Sequence, residues 1–189
     1  MRRITKHGTV PGYRPAGLTI ATDAAVDPVR RKAGMAYLAT DGAWGLVLRP
    51  LEGADVLTCE LRAVFYALDR PVPDGSITVL TDSQDAVRYL QSWQNGEDCY
   101  PPGYVTQTGR RGVPHLVALR NKVTSAPRRY TFTWTRAHVG HPLNEFADSA
   151  AKLAIHIDRG LAGRLEASRL PPGWAQARLE EWGTYQEER

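Results

Sequence analysis

The amino-acid sequence predicts an α/β protein built on one mixed five-stranded sheet with helices on both faces, and three observations predict it. Residues 17–50 alternate apolar and polar side chains in three short runs, with the Asp41-Gly42 hairpin signal between the last two. Residues 55–158 then switch repeatedly between a helical period and short β-branched or aromatic runs, the order that builds parallel crossovers. Two of the runs close on the same dipeptide, Thr22-Asp23 and Thr81-Asp82. The first three strands are therefore expected to pair antiparallel, and strands four and five to run parallel to the first.

Taken in order, residues 1–16 show little periodicity and read as a basic, loosely packed arm. Gly17 to Asp23 is the first strand, residues 24–32 a turn, Ala33 to Leu38 the second strand, and the run holding Trp44, Leu46 and Leu48 the third, closed by Pro50. Asp55 can cap a helix with Leu57, Leu61, Val64, Phe65 and Leu68 at helical spacing, ended by Pro71 and Pro73. Ile77 to Asp82 is the fourth strand. Ser83 opens a helix with Val87, Leu90 and Trp93 on its face. Residues 94–113 are rich in Gly and Pro and read as a loop, and Pro114 can start a short helix carrying Leu116, Leu119 and Val123. Tyr130, Phe132 and Trp134 alternate with threonines in the fifth strand. After a turn at Arg136 to His141, Phe146, Ala147, Ala150, Leu153, Ala154 and Ile157 mark a helix. Residues 159–189 form a polar extension, expected as two helical pieces split at Pro171-Pro172-Gly173. The chain thus divides into an arm (1–16), a central domain (17–158) and a helical extension (159–189).

Composition excludes several classes. With 189 residues, 42% hydrophobic and 23% charged, the chain suits one soluble core. No run approaches the roughly 18 apolar residues that span a bilayer, and the basic N-terminus lacks the apolar stretch of a secretory signal. Two cysteines without a CxxC fit a reducing cytoplasm. The net charge of +4 is segregated. Residues 1–22 and 99–144 carry bases and no acid, whereas the acids fall between 23 and 98 and after 144. An acidic centre beside basic flanks suggests a polyanion partner.

The chemistry concentrates where strands one and four end. As parallel neighbours they would set Asp23 and Asp82 side by side at the carboxyl edge, about 4.8 Å apart, where open α/β sheets bind ligands. Two such carboxylates repel, which raises at least one pKa unless a cation intervenes. Hard oxygen ligands favour Mg²⁺ or Mn²⁺. His138 and His141 could suggest zinc, but neither Cys59 nor Cys99 stands at metal-ligand spacing from them.

The residues Thr22-Asp23, Glu60-Leu61 with Ala63, Thr81-Asp-Ser-Gln84, Trp134, His138-Val-Gly-His-Pro-Leu-Asn144-Glu145 and Ala147-Asp148 together resemble the type 1 ribonuclease H family over about residues 17–158. The resemblance implies that Asp23, Glu60, Asp82 and Asp148 hold two Mg²⁺ ions, for which Mn²⁺ would substitute. It also implies hydrolysis of the RNA strand of an RNA–DNA hybrid to 5′-phosphate and 3′-hydroxyl ends. His138 would move protons or aid product release, since imidazoles titrate near neutrality. Gln84, Ser83 and Asn144 would meet the substrate, Ser83 being a helix cap first, and Glu145 would support the site from behind. Arg110 and Arg111 belong to the stretch that matches the family's basic protrusion.

The chain departs from the family at Asp23-Ala-Ala25, at Val26 to Lys32, and at Asp55 to Cys59. There Arg30 and Arg31 are candidates to contact phosphate instead. These departures keep two alternatives open: a nuclease of the same fold acting on double-stranded RNA or branched DNA, or a non-catalytic nucleic-acid-binding module. A monomer in the cytoplasm, without membrane attachment, is expected.

Overall fold

The computed structural model describes residues 4–13, 17–51, 54–107, 112–163 and 166–187. Six strands form one sheet in the order β1-β4-β3-β2-β5-β6, where β1 is Ile4–Thr9, β2 Leu18–Asp27, β3 Lys32–Ala39, β4 Ala43–Pro50, β5 Ile77–Thr81 and β6 Tyr130–Trp134. β2, β3 and β4 pair antiparallel, and β5 and β6 lie parallel beyond β2. The expected class and strand directions hold.

The sheet has one strand more than expected. Residues 4–9 are not a loose arm: they pair antiparallel with β4, from Ile4↔Leu48 to Thr9↔Ala43. Their inward positions are Ile4, Lys6 and Gly8, so the face carries one apolar side chain and no hydrophobic alternation to read. Gly8 is demanded by packing, since a Cβ there would stand 2.7 Å from the Trp44 ring. β2 is also longer than expected and continues past Asp23 to Asp27 against β3. The turn shrinks to residues 28–31. It is tied by Asp27 Oδ1, which accepts from the Arg30 N–H at 3.1 Å, and by Arg31 at φ 52°.

Helices cover both faces. On one side lie α1 (Val56–Leu68), α2 (Gln84–Gln94) and α3 (His115–Ser125). Leu61, Val64, Leu90, Trp93 and Leu119 pack there on Ile20, Ile77, Val79 and Phe132. Asp55 caps α1 by accepting from the Thr58 N–H at 2.7 Å, and Ser83 caps α2 by accepting from the Ala86 N–H at 3.2 Å. On the other side α4 (Pro142–Arg159) lays Phe146, Ala150 and Leu153 against Leu38, Leu46, Leu48 and Leu80. Each large apolar side chain buried in this way contributes about 1.5–3 kcal/mol. Gly160, at φ 73°, ends α4 in the left-handed conformation that glycine adopts without steric cost.

The extension forms α5 (Glu166–Glu187) as one helix rather than two pieces, with Pro171 and Pro172 inside it. Two missing N–H donors would normally break a helix. Here Leu170, Trp174, Ala175, Leu179 and Trp182 pack into the cluster that α4 builds, and that burial holds the helix together.

The approach of α4 to the sheet depends on Gly34 of β3, where a Cβ would fall 2.1 Å from the Ala151 carbonyl oxygen. Gly34→Ala is therefore expected to destabilise the fold by about 1–3 kcal/mol through overpacking, read as a lower midpoint in urea unfolding. An unchanged midpoint would contradict so close a contact.

Candidate active site

Each acid reaches the site from a different element. The parallel register of β2 and β5 ends at Ala21↔Leu80. Two residues further along both strands come Asp23 and Asp82, so the register itself sets them side by side. Asp23 is thus not the end of its strand. β2 runs on along β3 after β5 has stopped, and the mouth left by β5 is where the carboxylates meet. Thr22 Oγ1 donates to the Leu80 carbonyl across the same pair of strands. Glu60 enters from the second turn of α1 and is buried. Carboxylate oxygens of Asp23, Glu60 and Asp82 all lie within 4.8 Å of one another. Asp148, from the second turn of α4, lines the same cleft, a space of about 480 Å³, close enough to Asp23 to raise its pKa.

The electrostatics follow from that crowding. Burial, the Asp82 charge and then Asp148 push the Asp23 carboxyl up to about 8, against the stabilising bond from the Ala24 N–H at 2.7 Å. Glu60 is raised well above its ordinary value by burial, then by Asp23 and Asp82. Asp82 is raised by burial and by Asp148, and is held down by its own N–H, by His138 and by a side-chain hydrogen bond from Asn144. Glu60 Oε2 is buried without a hydrogen-bond partner among the described residues. A buried cluster of hard oxygens with an orphaned carboxylate atom fits a divalent cation, which would neutralise the charges that now repel.

The backbone around Asp82 is braced. Thr81 Oγ1 accepts from the Ser83 N–H at 3.2 Å, and Trp134 Nε1 donates to the Asp82 carbonyl at 2.9 Å. Strand alternation places Trp134 inward with Tyr130 and Phe132, yet it is 44% exposed because its indole reaches sideways to this carbonyl. His138 stands on the loop between β6 and α4, exposed and at φ 56°. Asn144 is buried in the first turn of α4, and Glu145 is half-buried beside it.

The other expected contacts are spread more widely. Ser83 and Gln84 stand together at the start of α2. Arg30 does not line the cleft: its guanidinium donates to the Asp158 carbonyl at 3.0 Å. Lys32 pairs with the same Asp158, and Asp27 pairs with Arg159 at 2.8 Å, so this turn is fastened to the end of α4. Arg31 is exposed at the turn and also does not line the cleft. Arg110 and Arg111 lie outside the described residues.

Three cationic or titratable residues of α4 escape the sequence reading. Lys152, His156 and Arg159 line the cleft beside the acids. Lys152 Nζ lies 2.6 Å from Asp148 Oδ1. A signal is present: 148, 152 and 156 are spaced by four and share a helical face.

A family model described as RNase H matches residues 15–156. The chain belongs to the ribonuclease H family. It is 30% identical over 129 residues to the Ribonuclease H of Geotalea uraniireducens (strain Rf4), covering 63% of this chain and 86% of that relative. It is 32% identical over 131 residues to the Ribonuclease H of Ruegeria pomeroyi, covering 60% and 82%. The family segment contains all four acids and the His138 loop, while α5 lies beyond it.

The raised carboxyls make the metal-free protein sensitive to alkali. An acid whose pKa rises on folding binds its proton more tightly in the folded state. The resulting stabilisation is full below the ordinary value of 3.8 and is lost as pH rises through about 8 for Asp23. In EDTA, the wild-type Tm should fall between about pH 5 and pH 9, and Asp23→Asn should flatten that fall. Parallel Tm–pH curves for the two proteins would refute the crowding of charge at Asp23.

Proposed function

We propose that this chain is a divalent-metal-dependent endoribonuclease that hydrolyses the RNA strand of RNA–DNA hybrids, leaving 5′-phosphate and 3′-hydroxyl ends. The observation that carries the reading is the convergence of Asp23, Glu60 and Asp82 within 4.8 Å, inside a segment that belongs to the ribonuclease H family. The likeness to proteins named Ribonuclease H supports the activity. Two Mg²⁺ ions, replaceable by Mn²⁺, suit an all-oxygen donor set, and Asp23, Glu60, Asp82 and Asp148 would hold them. Bound divalent cations supply activation of water and charge neutralisation at the phosphate.

The remaining chemistry belongs to the side chains. Asp23 and Glu60 are buried, and Glu60 Oε2 has no hydrogen-bond partner among the described residues; together they form the inner wall. Asp82, held by Asn144 and by the brace from Trp134, keeps its carboxylate directed at the cleft. His138 is exposed on its loop and close enough to bias Asp82, which suits a proton carrier between the site and solvent. Lys152, His156 and Arg159 give the cleft a basic wall for the phosphate backbone. Choice of RNA over DNA is assigned to Glu60 and Gln84 reading the 2′-hydroxyl. The free thiols Cys59 and Cys99 support a cytoplasmic setting, and burial pushes the Cys59 thiol up to about 11, where it is unreactive. No helix among the described residues is long and apolar enough to cross a membrane.

Digestion of matched RNA–DNA hybrid, double-stranded RNA, double-stranded DNA and single-stranded RNA, with Mg²⁺ or with EDTA, tests the reading. Cleavage confined to the RNA strand of the hybrid and abolished by EDTA is expected. Cleavage of DNA would replace it with the second nuclease class, and inertness in both Mg²⁺ and Mn²⁺ would leave a binding module. Asp82→Asn should cut turnover by about 100-fold or more while the fold persists. His138→Ala should be slower by about 100-fold at most, since water can partly carry its protons. Full activity in either variant would remove the role assigned to that residue.

A further inference from the structure

The extension beyond the family segment touches the site machinery at one point. His141 caps α4: its Nδ1 accepts from the Asn144 N–H at 3.5 Å, and its carbonyl accepts from the Glu145 N–H at 3.0 Å. His141 is buried, 8% exposed, and α5 sets two aromatic rings against it. Trp182 lies 5.1 Å from the His141 ring, tilted by 39°, and Tyr185 meets it edge-on at 5.4 Å. The two aromatic rings stack on each other at 5.6 Å. Leu179 and Ala175, one and two turns back, are buried against the α4 cluster and fix where this end of α5 stands.

His141 stands between two parts of the site. Three residues before it is His138, reached through Val139 and through Gly140 at φ 78°. The other end of that loop is anchored through Trp134 to the Asp82 carbonyl. After His141 come Asn144, whose side chain favours the charged form of Asp82, and then Asp148 one turn on. A tilt of the first turn of α4 would therefore move the Asn144 side chain, the Asp148 carboxylate and the base of the His138 loop together. The His141–Asn144 cap is long for a hydrogen bond, and the packing around the ring adds to it.

We propose that Trp182 and Tyr185 are positioning residues for catalysis: the α5 clasp on His141 holds the catalytic loop and the start of α4 in register with Asp82. The inference rests on the nuclease reading above for its kinetic test and on the contacts alone for its structural one. A family segment that ends at residue 156 does not contain these aromatics, so they are a feature of this chain's extension.

The test compares full-length wild type with Trp182→Ala, Trp182→Phe and Tyr185→Ala on RNA–DNA hybrid in Mg²⁺, well below each protein's Tm. Trp182→Ala should lower kcat about tenfold with KM nearly unchanged, because small misplacements of reacting groups cost rate rather than binding. Trp182→Phe should recover most of that loss by restoring a ring against His141. Independently of cleavage, the side-chain ¹⁵N signals of His141 and amide exchange over residues 138–145 should report a loosened cap in Trp182→Ala and Tyr185→Ala, and a near-native one in Trp182→Phe. If the wild type does not cut hybrid, the nuclease reading fails while these signals still decide the clasp. Wild-type kcat in Trp182→Ala, or unchanged His141 signals and exchange, would overturn the proposal. So would a loss of kcat that phenylalanine does not rescue.

Discussion

The structure depends on the parallel pairing of β2 with β5. That register, Leu18↔Ile77 through Ala21↔Leu80, is a matter of backbone hydrogen bonds and of Ile20 and Val79 fitting one face of the sheet. Its consequence is electrostatic. It brings Asp23 beside Asp82 in a buried place where each charge is disfavoured, and α1 adds Glu60 to the same spot. The packing of two helical layers offsets that repulsion, and the arrangement makes chemical sense as a receptacle for cations. The repulsion that raises these carboxyls is what a divalent ion bound among them would relieve.

α4 serves the site twice. Its inner face packs on β3 with only a glycine between helix backbone and sheet, which fixes how near Asp148 can come to the other acids. Its outer face carries Lys152, His156 and Arg159 along the cleft, so one helix supplies both an acid and a basic wall. The two ends of α4 are fastened separately. The end near Arg159 is tied to the β2–β3 turn through the Asp27 and Asp158 ion pairs. Both of these carboxyls are held below their ordinary values, Asp27 chiefly by the Arg159 hydrogen bond and Asp158 chiefly by the Lys32 one. The beginning of α4 is capped by His141 under α5. The stretch Val26 to Lys32 thus has a structural role, because Arg30 and Lys32 direct their charge at the end of α4.

Most of the fold is legible in the sequence because local signals and tertiary packing agree. The faces of α3 and α4 are visible as helical spacing, and Asp55 and Ser83 are visible as caps, and both prove to be so. The misses share a cause. β1 shows no hydrophobic alternation because its inward positions after Ile4 are Lys6 and Gly8, and at Gly8 the Trp44 ring from β4 fills the place of a side chain. The continuation of β2 through Ala24 to Asp27 depends on its partner β3 rather than on its own residues. The unbroken α5 contradicts its own prolines, and only the surface that it buries explains it. In the site, the acids are legible because their types and order are unusual together. Lys152, His156 and Arg159 are not, because a basic residue on a helix looks like ordinary surface until something acidic is seen opposite.

The sequence by itself determined the element order from β2 to α4, the α/β class and the identity of the acids, since periodicity, turn residues and residue type are properties of the chain. Only the tertiary structure decided how those acids share charge, which cations face them, and that α5 closes over His141. The physical reason is that a pKa, a cleft wall or a ring contact belongs to groups brought together from distant parts of the chain, and no local pattern encodes their separation.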